Sequence, residues 1–332
     1  MATATKPKTK PKTKKGRKAA RKPPRKGRKT PEQRQAEAKA LHDTLTAQVE
    51  ALTTTEQWAA FLRFAGSFHD YSLNNLLLIL AQCPHATAVA GFRQWQAKGR
   101  QVRKGERAIK IYGFSTKTVT TRDEETGEEE QKKLARYPVL SVFDVSQTDP
   151  IEGFDGGYDP SHLAHALTGE DPVGIYDAFA THMRSLGWTV EVEPIPGGMN
   201  GYTTTDGTRR TVVDSELAPA QRAKTMLHEA GHATLHVDEA GEWAADEPYV
   251  AHRGRFECEA ESVAYVLAGM AGLDTSDYSV GYIATWTGGD LDAVRASAEN
   301  VLRAVHALAH ALPDASATSV TVETTGEGSG DE

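Results

Sequence analysis

The run Ala223-Lys-Thr-Met-Leu-His-Glu-Ala-Gly-His-Ala-Thr-Leu-His236 places two histidines four residues apart, with a glutamate directly after the first. Residues four apart lie on one face of a helix, so the imidazoles of His228 and His232 can reach a single metal ion. A zinc ion with three protein ligands keeps a water molecule and lowers its pKa towards roughly 7. We therefore predict a hydrolytic Zn²⁺ site in which Glu229 accepts the proton of that water.

The surrounding residues favour a buried helix for this motif. Pro219 suits the first turn of a helix, where its missing N–H is not needed. An apolar stripe at helical spacing can pack inward. It consists of Ala223, Leu227, Ala230 and Thr234. The alternative is an ordinary amphipathic helix that happens to carry two histidines.

A third metal ligand is expected from the next helical segment, which runs from Arg255 to Met270 and contains three glutamates. A strip of small residues centred near Glu257 would let another helix approach closely, so Glu257 is the predicted ligand. Glu261, one turn along the same face, is the alternative ligand or a group that orients a metal-bound histidine. Glu259 is predicted to point elsewhere and to be structural.

Further polar residues lie close to the motif. His236 continues the same helical stripe, but three histidines at successive turns cannot converge on one tetrahedral ion without strain. It is therefore predicted to pack behind the site or to support a ligand. Tyr278 and Tyr282 are candidates for donating a hydrogen bond to the oxyanion of a tetrahedral intermediate.

These residues resemble a known family. The HEAGH motif at 228–232, followed by Glu257-Cys-Glu-Ala260 and Val263-Ala264, is similar to the two metal-binding helices of the ImmA/IrrE-like zinc metallopeptidases. The resemblance spans roughly residues 172–312 and implies a gluzincin-type fold. It also implies that the two histidines and the first glutamate of the second helix bind zinc, with Glu229 as catalytic base. Some members of that family cleave a repressor protein.

Charge is strongly segregated along the chain. The net charge is −7, yet residues 1–30 contain fourteen Lys or Arg and no acid, so the remaining 302 residues carry −21. The basic segment 1–35 cannot bury a core, so we predict a disordered tail that can neutralise phosphates. A solubilising extension is the alternative. Residues 313–332 are acidic and rich in Gly, Ser and Thr, which indicates a second disordered tail.

Composition also narrows the class of protein. No apolar run approaches the roughly 20 residues of a membrane helix, and the basic N-terminus lacks the apolar core of a signal peptide. We therefore expect a cytoplasmic protein without a membrane partner. Cys83 and Cys258 lie far apart in the sequence and neither belongs to a CxxC pair. A disulfide framework and a thiolate metal site are therefore not expected.

A basic stretch with interspersed aromatic residues lies at 91–112. It contains seven Lys or Arg against the single acid Glu106, together with Phe92, Trp95 and Tyr112. Cations that follow a nucleic-acid backbone, beside aromatic rings that stack on bases, are typical of a single-strand binding groove. A solvated basic face over core aromatic residues has the same composition and is the alternative.

A second resemblance covers roughly residues 36–150. Tyr71-Ser-x-Asn-Asn-x-Leu-Leu, Phe92-x-x-Trp95 and Gly99-x-x-Val-x-Lys-Gly-Glu106 are similar to the N-terminal domain of ArdC-like antirestriction proteins. In that family the domain binds single-stranded DNA, is paired with a metallopeptidase-like domain and is carried on mobile elements. The predicted DNA contacts are Tyr71, Asn74, Asn75, Arg93, Trp95, Arg103, Lys104 and Lys110.

The pattern of elements predicts an α+β protein. An N-terminal α+β domain that binds single-stranded DNA, residues 36–150, is followed by a linker at 151–171 and a gluzincin-like metallopeptidase domain at 172–312. The chain is predicted to turn helical from about Pro31, with Ala36 to Leu52 as one segment. The acidic segment 118–133 is predicted as an exposed loop between two strands. Trp188–Val192, Gly201–Thr205 and Thr211–Val213 are predicted to form a small antiparallel sheet.

Three functions remain open from the sequence. The first is a zinc metallopeptidase that binds single-stranded DNA and cleaves an unidentified protein or peptide. The second is a DNA-coating protein in which the metal and the motif helix are structural, so Glu229→Gln would leave its activity intact. The third is a regulatory protease that cleaves a repressor.

Overall fold

The computed structural model describes residues 30–122, 129–154, 171, 174–244, 249–273 and 289–313. The basic tail up to residue 29, the acidic tail from residue 314 and most of the predicted linker lie outside these ranges. Tyr278 and Tyr282, the predicted oxyanion donors, lie outside them as well. Mixed helix and sheet is present on both sides of the linker, which confirms the α+β class.

The helices and strands are grouped along the described part of the chain, which begins and ends with three helices. In chain order the helices are α1 (Pro31–Ala51), α2 (Thr55–Phe68), α3 (Leu73–Gln82), α4 (Phe92–Ala97), α5 (Ile175–Ser185), α6 (Pro219–Leu235), α7 (Tyr249–Met270) and α8 (Leu291–Leu308). The strands are β1 (Val89–Gly91), β2 (Arg100–Val102), β3 (Ile109–Tyr112), β4 (Ser115–Arg122), β5 (Glu129–Arg136), β6 (Val139–Asp144), β7 (Thr148–Pro150), β8 (Thr189–Glu193), β9 (Gly201–Thr203) and β10 (Arg210–Asp214).

The first helix begins at Pro31, as the sequence predicted, although the predicted domain starts only at residue 36. The side chain of Thr30 accepts a hydrogen bond from the backbone N–H of Gln33, and the Gln33 side chain accepts one from the backbone N–H of Thr30. This reciprocal cap satisfies N–H groups that a helix end leaves without partners. Residues 31–35 of the predicted tail therefore belong to α1.

The acidic segment 118–133 was expected to be an exposed hairpin loop, but strands extend into both of its ends. β4 and β5 pair in antiparallel register from Ser115↔Arg136 to Arg122↔Glu129, forming a two-stranded arm. The β-branched run Thr118-Val-Thr-Thr121 favours a strand, although the acidic residues that follow hide this signal in the composition. Residues 123–128, at the tip, lie outside the described ranges.

The C-terminal sheet is mixed rather than antiparallel. Its strand order is β8-β10-β9, with β10 parallel to β8 and antiparallel to β9. β10 lies in the middle because it pairs with β9 as an antiparallel hairpin on one side and with β8 on the other. This order leaves β9 at the edge of the sheet, beside α6.

One hydrophobic core joins the helices on both sides of the predicted linker. It contains fully buried residues of α2 and α3, such as Phe61 and Leu77, together with Leu267 of α7 and Val301 of α8. The indole of Trp58 donates a 3.1 Å hydrogen bond to Ser262 across this core. The N-terminal helices therefore pack directly on α7, which carries the predicted third metal ligand.

Two further findings bear on the expected class of protein. Within the described ranges, no helix combines the length and the apolarity needed to cross a membrane. Cys83 and Cys258 are both buried and are not disulfide-bonded, and burial raises the pKa of the Cys258 thiol to about 12. A protonated, buried thiol is a poor nucleophile and a poor metal ligand.

Candidate metal centre and nucleic-acid interface

Helix α6 positions the first half of the metal centre. Ala223, Leu227 and Ala230 are fully buried on its inward face. Pro219 occupies the first turn. His228 and His232 project one turn apart, with ring centroids 4.7 Å apart.

A close approach of α6 and α7 brings Glu257, the third predicted ligand, next to the two histidines. Gly231 lies against Ala260, and a Cβ on Gly231 would stand 3.3 Å from the Cα and from the carbonyl oxygen of Ala260. Contact at this distance leaves little room for a side chain at position 231 of α6. The glycine within the HEAGH motif therefore lets α7 come close enough for Glu257 to face the two histidines.

Three ligand atoms converge between the two helices. His228 Nε2 lies 3.1 Å from His232 Nε2, and Glu257 Oε2 lies 3.3 Å and 3.6 Å from these two nitrogens. Ligands about 2.0–2.1 Å from a tetrahedral zinc ion stand roughly 3.3–3.4 Å from one another. Donor types and spacing therefore fit a divalent metal ion, and in the described part of the chain this is the group of three with such geometry.

The structure separates the two glutamates that the sequence left as alternatives. Glu261 does not join the group; its Oε2 accepts a 3.1 Å hydrogen bond from Nδ1 of His228. Its other oxygen lies 3.0 Å from the ammonium of Lys224. Glu261 thus fixes the ring of His228 from behind, as carboxylates do for many metal-bound histidines.

The third glutamate is more involved than predicted. Glu259 does point away from the ligand group, but it is buried and accepts a 3.2 Å hydrogen bond from His236 Nε2. The nearer ring nitrogen of His236 lies 3.0 Å from His232 Nδ1. The sequence offered no signal for this arrangement, because it depends on where α8 packs.

Glu229 is buried beside the ligand atoms. The hydroxyl of Thr203, on β9, donates a 2.8 Å hydrogen bond to Glu229 Oε2. Burial raises the pKa of Glu229 to about 7, although the nearby His228 opposes the shift. Sequence reasoning missed Thr203, whose role follows from the edge position of β9. A carboxyl with this pKa can exchange a proton near neutral pH.

The two histidines differ in their affinity for protons. Burial lowers the pKa of His232 to about 4, so its imidazole is neutral at physiological pH. Burial would also lower the pKa of His228, but hydrogen bonds to Glu257 and Glu261 outweigh it and raise the value to about 10. A metal ion at this site must therefore displace a proton from His228, and its affinity should rise with pH.

An open cleft of about 310 Å³ leads to the metal centre. Besides His228, Glu229 and Glu261, it is lined by Asn200, Gly201, Gln221, Lys224 and Thr225. A Cβ at Gly201 would approach Thr225 Cγ2 to 2.7 Å and Glu229 Oε1 to 3.2 Å. The absent side chain thus keeps the space next to the carboxylate open.

Two of the predicted DNA contacts make hydrogen bonds within the fold. Trp95 is 1% exposed and its indole donates to the carbonyl of Phe143, so it cannot stack on a base. The side-chain amide of Asn75 pairs with both backbone groups of Tyr112 at 2.8 Å and 2.9 Å, at the edge of the first sheet. The burial of Trp95 therefore speaks against base stacking, whereas the part of Asn75 in DNA binding stays a prediction.

The other predicted contacts vary in exposure and in partners. The hydroxyl of Tyr71 donates to the carbonyl of Val89, and Asn74 accepts a 2.7 Å hydrogen bond from Arg295 of α8. Arg103 pairs with Glu106 and Asp149, and Lys110 donates to Ser141. Arg93 and Lys104 are exposed at the surface.

Two exposed aromatic side chains were missed by the sequence reasoning. Phe114 and Tyr137 are 70% and 66% exposed, with ring centroids 5.9 Å apart. They lie opposite each other where β3 continues into the β4–β5 arm, a position fixed by the 2.8 Å bond from Gly113 N–H to the Pro138 carbonyl. The sequence signal that could have identified them is an aromatic residue between β3 and β4 and another between β5 and β6.

Two known domain families match this chain. Residues 35–145 match the N-terminal domain of anti-restriction factor ArdC, and residues 183–269 match the IrrE N-terminal-like domain. An uncharacterized protein of Bacillus anthracis is 26% identical over 290 residues, which are 78% of this chain and 48% of the relative. The chain therefore spans about half the length of that curated relative.

Two crystal structures of the antirestriction protein ArdC from the R388 plasmid are also similar. The metal-free structure is 20% identical and covers 73% of this chain and 82% of that chain, with a TM-score of 0.42. The Mn(II)-bound structure is 21% identical and covers 73% of this chain and 85% of that chain, with a TM-score of 0.44.

Proposed function

We propose that this chain is an ArdC-like antirestriction protein, and that it is a metal-dependent peptidase that binds single-stranded DNA; the matches to the ArdC N-terminal domain and to the IrrE N-terminal-like domain support this. The observation that carries the peptidase proposal is the convergence of His228, His232 and Glu257 beside the buried carboxyl of Glu229. Zn²⁺ is the proposed ion, because two imidazoles and one carboxylate at tetrahedral spacing suit it.

The side chains have separate tasks in the proposed reaction. A zinc ion held by His228, His232 and Glu257 would supply Lewis-acid polarisation of a peptide carbonyl and would lower the pKa of a bound water. Glu229 accepts the proton of the attacking water and can pass it to the leaving amine. Thr203 donates to Oε2 of that carboxylate and so holds its orientation. Glu261 and Lys224 keep His228 in position.

The substrate is proposed to be an extended peptide. β9 is the edge strand next to α6, and an edge strand offers backbone groups with which an extended chain can pair. The cleft at Gly201 opens beside this strand. A peptide paired with β9 would bring its backbone carbonyl next to Glu229. The identity of the protein that supplies the peptide is open.

Single-stranded DNA is proposed to lie on the surface around the arm and the β2–β3 connection. Phe114 and Tyr137 offer exposed rings for stacking, and Lys133 and Arg136 are exposed on the adjoining strand. Stacking on aromatic rings and contacts between cations and phosphates are the two features of sequence-tolerant binding. A cleft of about 610 Å³ that Arg103 and other residues line lies in the same half of the chain.

Hydrolysis of fluorescently labelled casein tests the peptidase proposal. Wild type, Glu229→Gln and the exposed control Glu239→Gln are each loaded with Zn²⁺ or Mn²⁺ and assayed with and without a single-stranded oligonucleotide. We expect Glu229→Gln to retain metal and to lose about 10²–10⁴-fold in rate, since general-base catalysis contributes this much. The control should match wild type. Equal rates for wild type and Glu229→Gln would contradict the proposal.

The same assay distinguishes the other two functions. A DNA-coating protein with a structural metal would leave casein intact, and its protection of single-stranded DNA would survive Glu229→Gln. A regulatory protease would also spare casein but would cut a repressor protein at a defined bond. Adding candidate repressors to the wild-type and Glu229→Gln samples separates these two outcomes.

A further inference from the structure

Behind the metal centre lies a chain of buried hydrogen bonds that reaches a third helix. It starts at His232 Nδ1, which is 3.0 Å from His236 Nδ1. His236 is 3% exposed and packs against the ring of Phe256, with centroids 4.9 Å apart. The far nitrogen of His236, Nε2, is 3.2 Å from Glu259 Oε2. The three residues therefore form a continuous path from α6 to α7.

Helix α8 closes this path. Glu259 is 1% exposed, and its Oε1 accepts a 2.5 Å hydrogen bond from the hydroxyl of Ser297. The amide of Asn300, one turn further along α8, donates to Glu259 Oε2 at 3.3 Å. A buried carboxylate needs such donors, because an unpaired buried charge is costly. Glu259 is thus held as a hydrogen-bond acceptor from three directions.

The direction of each bond follows from these partners. Since Glu259 accepts, His236 must carry its proton on Nε2, and the Nδ1 of a neutral His236 is then an acceptor. His232 must in turn donate from Nδ1, so the lone pair of its Nε2 faces His228 and Glu257. If the direction were reversed, His232 would present an N–H to the ligand group. With a neutral His236, one proton arrangement therefore satisfies the whole path, and it leaves His232 able to bind a metal.

We infer that His236 and Glu259, held by Ser297 and Asn300, are positioning residues that set the tautomer and ring orientation of His232 for metal binding. The inference rests on the metal site of the proposed function. His228 is oriented by a direct carboxylate contact, whereas His232 is oriented through a second imidazole. The arrangement makes α8, which carries no ligand of the described group, part of the metal site.

Zinc affinity of the full-length protein, measured by competition with a chromophoric chelator, tests the inference. The variants are His236→Phe, which keeps an apolar ring, Glu259→Gln and the double variant. Glu299→Gln on the exposed face of α8 is the control. We expect each single variant to weaken zinc binding by about 10–100-fold, the usual cost of losing such a supporting contact. The double variant should bind zinc as tightly as the single variant with the lower affinity, because the two substitutions interrupt the same chain of hydrogen bonds.

Nitrogen-15 NMR of the histidine rings supplies a readout that a merely structural role would not move. In the zinc-loaded wild type, His232 should carry its proton on Nδ1 and His236 on Nε2. A proton on His232 Nε2, or zinc affinities of His236→Phe and Glu259→Gln within twofold of wild type, would overturn the inference. Melting of the metal-free variants checks folding; if either variant unfolds, Ser297→Ala, expected to weaken zinc binding several-fold, takes its place.

Failure of the inference can be told apart from failure of the proposed function. Wild type that binds no zinc overturns both. Wild type that binds zinc, with variants that bind it equally well, overturns the positioning role alone. Loss of casein hydrolysis in Glu229→Gln with zinc affinity unchanged supports the peptidase proposal and says nothing about His236.

Discussion

The metal centre and the basic stretch of the N-terminal half both carry short sequence motifs. Burial of a motif residue is compatible with metal binding, but it prevents contact with DNA. At the metal centre, ligands must converge on one point, and helical spacing alone places His228 and His232 on one face. At a DNA surface, contact residues must be exposed, and composition does not report exposure. Trp95 and Asn75 therefore match a motif and serve the fold. We therefore expect a motif defined by geometry to predict its site better than a motif defined by composition.

Replacing one buried and one exposed aromatic residue should give the largest effects and tests the contrast between core residues and DNA contacts. Trp95→Ala should destabilise the protein by about 3–5 kcal/mol, because it empties a core position. Phe114→Ala should leave the free energy of unfolding nearly unchanged and weaken binding of a single-stranded oligonucleotide by about 1–3 kcal/mol. Urea unfolding and fluorescence anisotropy at two salt concentrations measure the two effects. Leu186→Ala, at another exposed apolar residue, is the control.

The opposite result would reverse the comparison. If Trp95→Ala leaves a stable protein that no longer binds DNA, the composition of the basic stretch was the better guide. If Phe114→Ala binds as tightly as wild type, the exposed rings are not the stacking surface.

Stability against pH tests the burial of Glu229. Its pKa rises from 4.5 to about 7 in the folded protein, so the folded state holds its proton more tightly than the unfolded chain. This contribution to stability is present below pH 4.5 and is lost as the pH rises through 7. The loss is on the order of 3 kcal/mol. In excess chelator, Glu229→Gln should therefore melt near wild type at pH 4.5 and clearly above it at pH 8. A constant difference across this range would contradict the burial.

Asn75→Ala sharpens the reading of the predicted DNA motif. Removing the amide leaves the N–H and the carbonyl of Tyr112 without their partners, which should cost about 1–3 kcal/mol of stability. The affinity for single-stranded DNA, measured below the unfolding transition, should stay within twofold. A large loss of affinity without loss of stability would restore Asn75 as a contact residue.

Two glycines within helices test the close approach of α6 and α7, for which we expect the smallest effect. Gly66 and Gly231 would each place a Cβ 3.3 Å from a neighbour, but the neighbour is the flexible side chain of Met270 at Gly66 and the backbone of Ala260 at Gly231. Gly66→Ala should be neutral or stabilising by up to about 1 kcal/mol, the helix-propensity gain. Gly231→Ala should lose that gain and weaken zinc binding, because α6 and α7 must separate. Equal behaviour in melting and zinc titration would contradict the close approach.

How much of the fold and of the metal centre could be predicted depends on how far apart in the sequence the interacting residues lie. The spacing of the HEAGH motif and the apolar stripe of α6 are local, and the sequence predicts both. The choice between Glu257 and Glu261 requires the crossing of two helices, so it stayed open. The role of Glu259 requires a third helix, and it was missed. The order of β8, β9 and β10 depends on a crossover that no local pattern specifies.

The most direct test of the metal centre is the zinc content of purified protein after equilibrium dialysis, compared for wild type, Glu257→Gln and Glu261→Gln. We predict about one zinc per chain for wild type, because the described residues contain one such ligand group. Glu257→Gln should lose the ion, whereas Glu261→Gln should keep it with about 10–100-fold lower affinity. Wild type without zinc, or loss of zinc from Glu261→Gln but not from Glu257→Gln, would contradict the account.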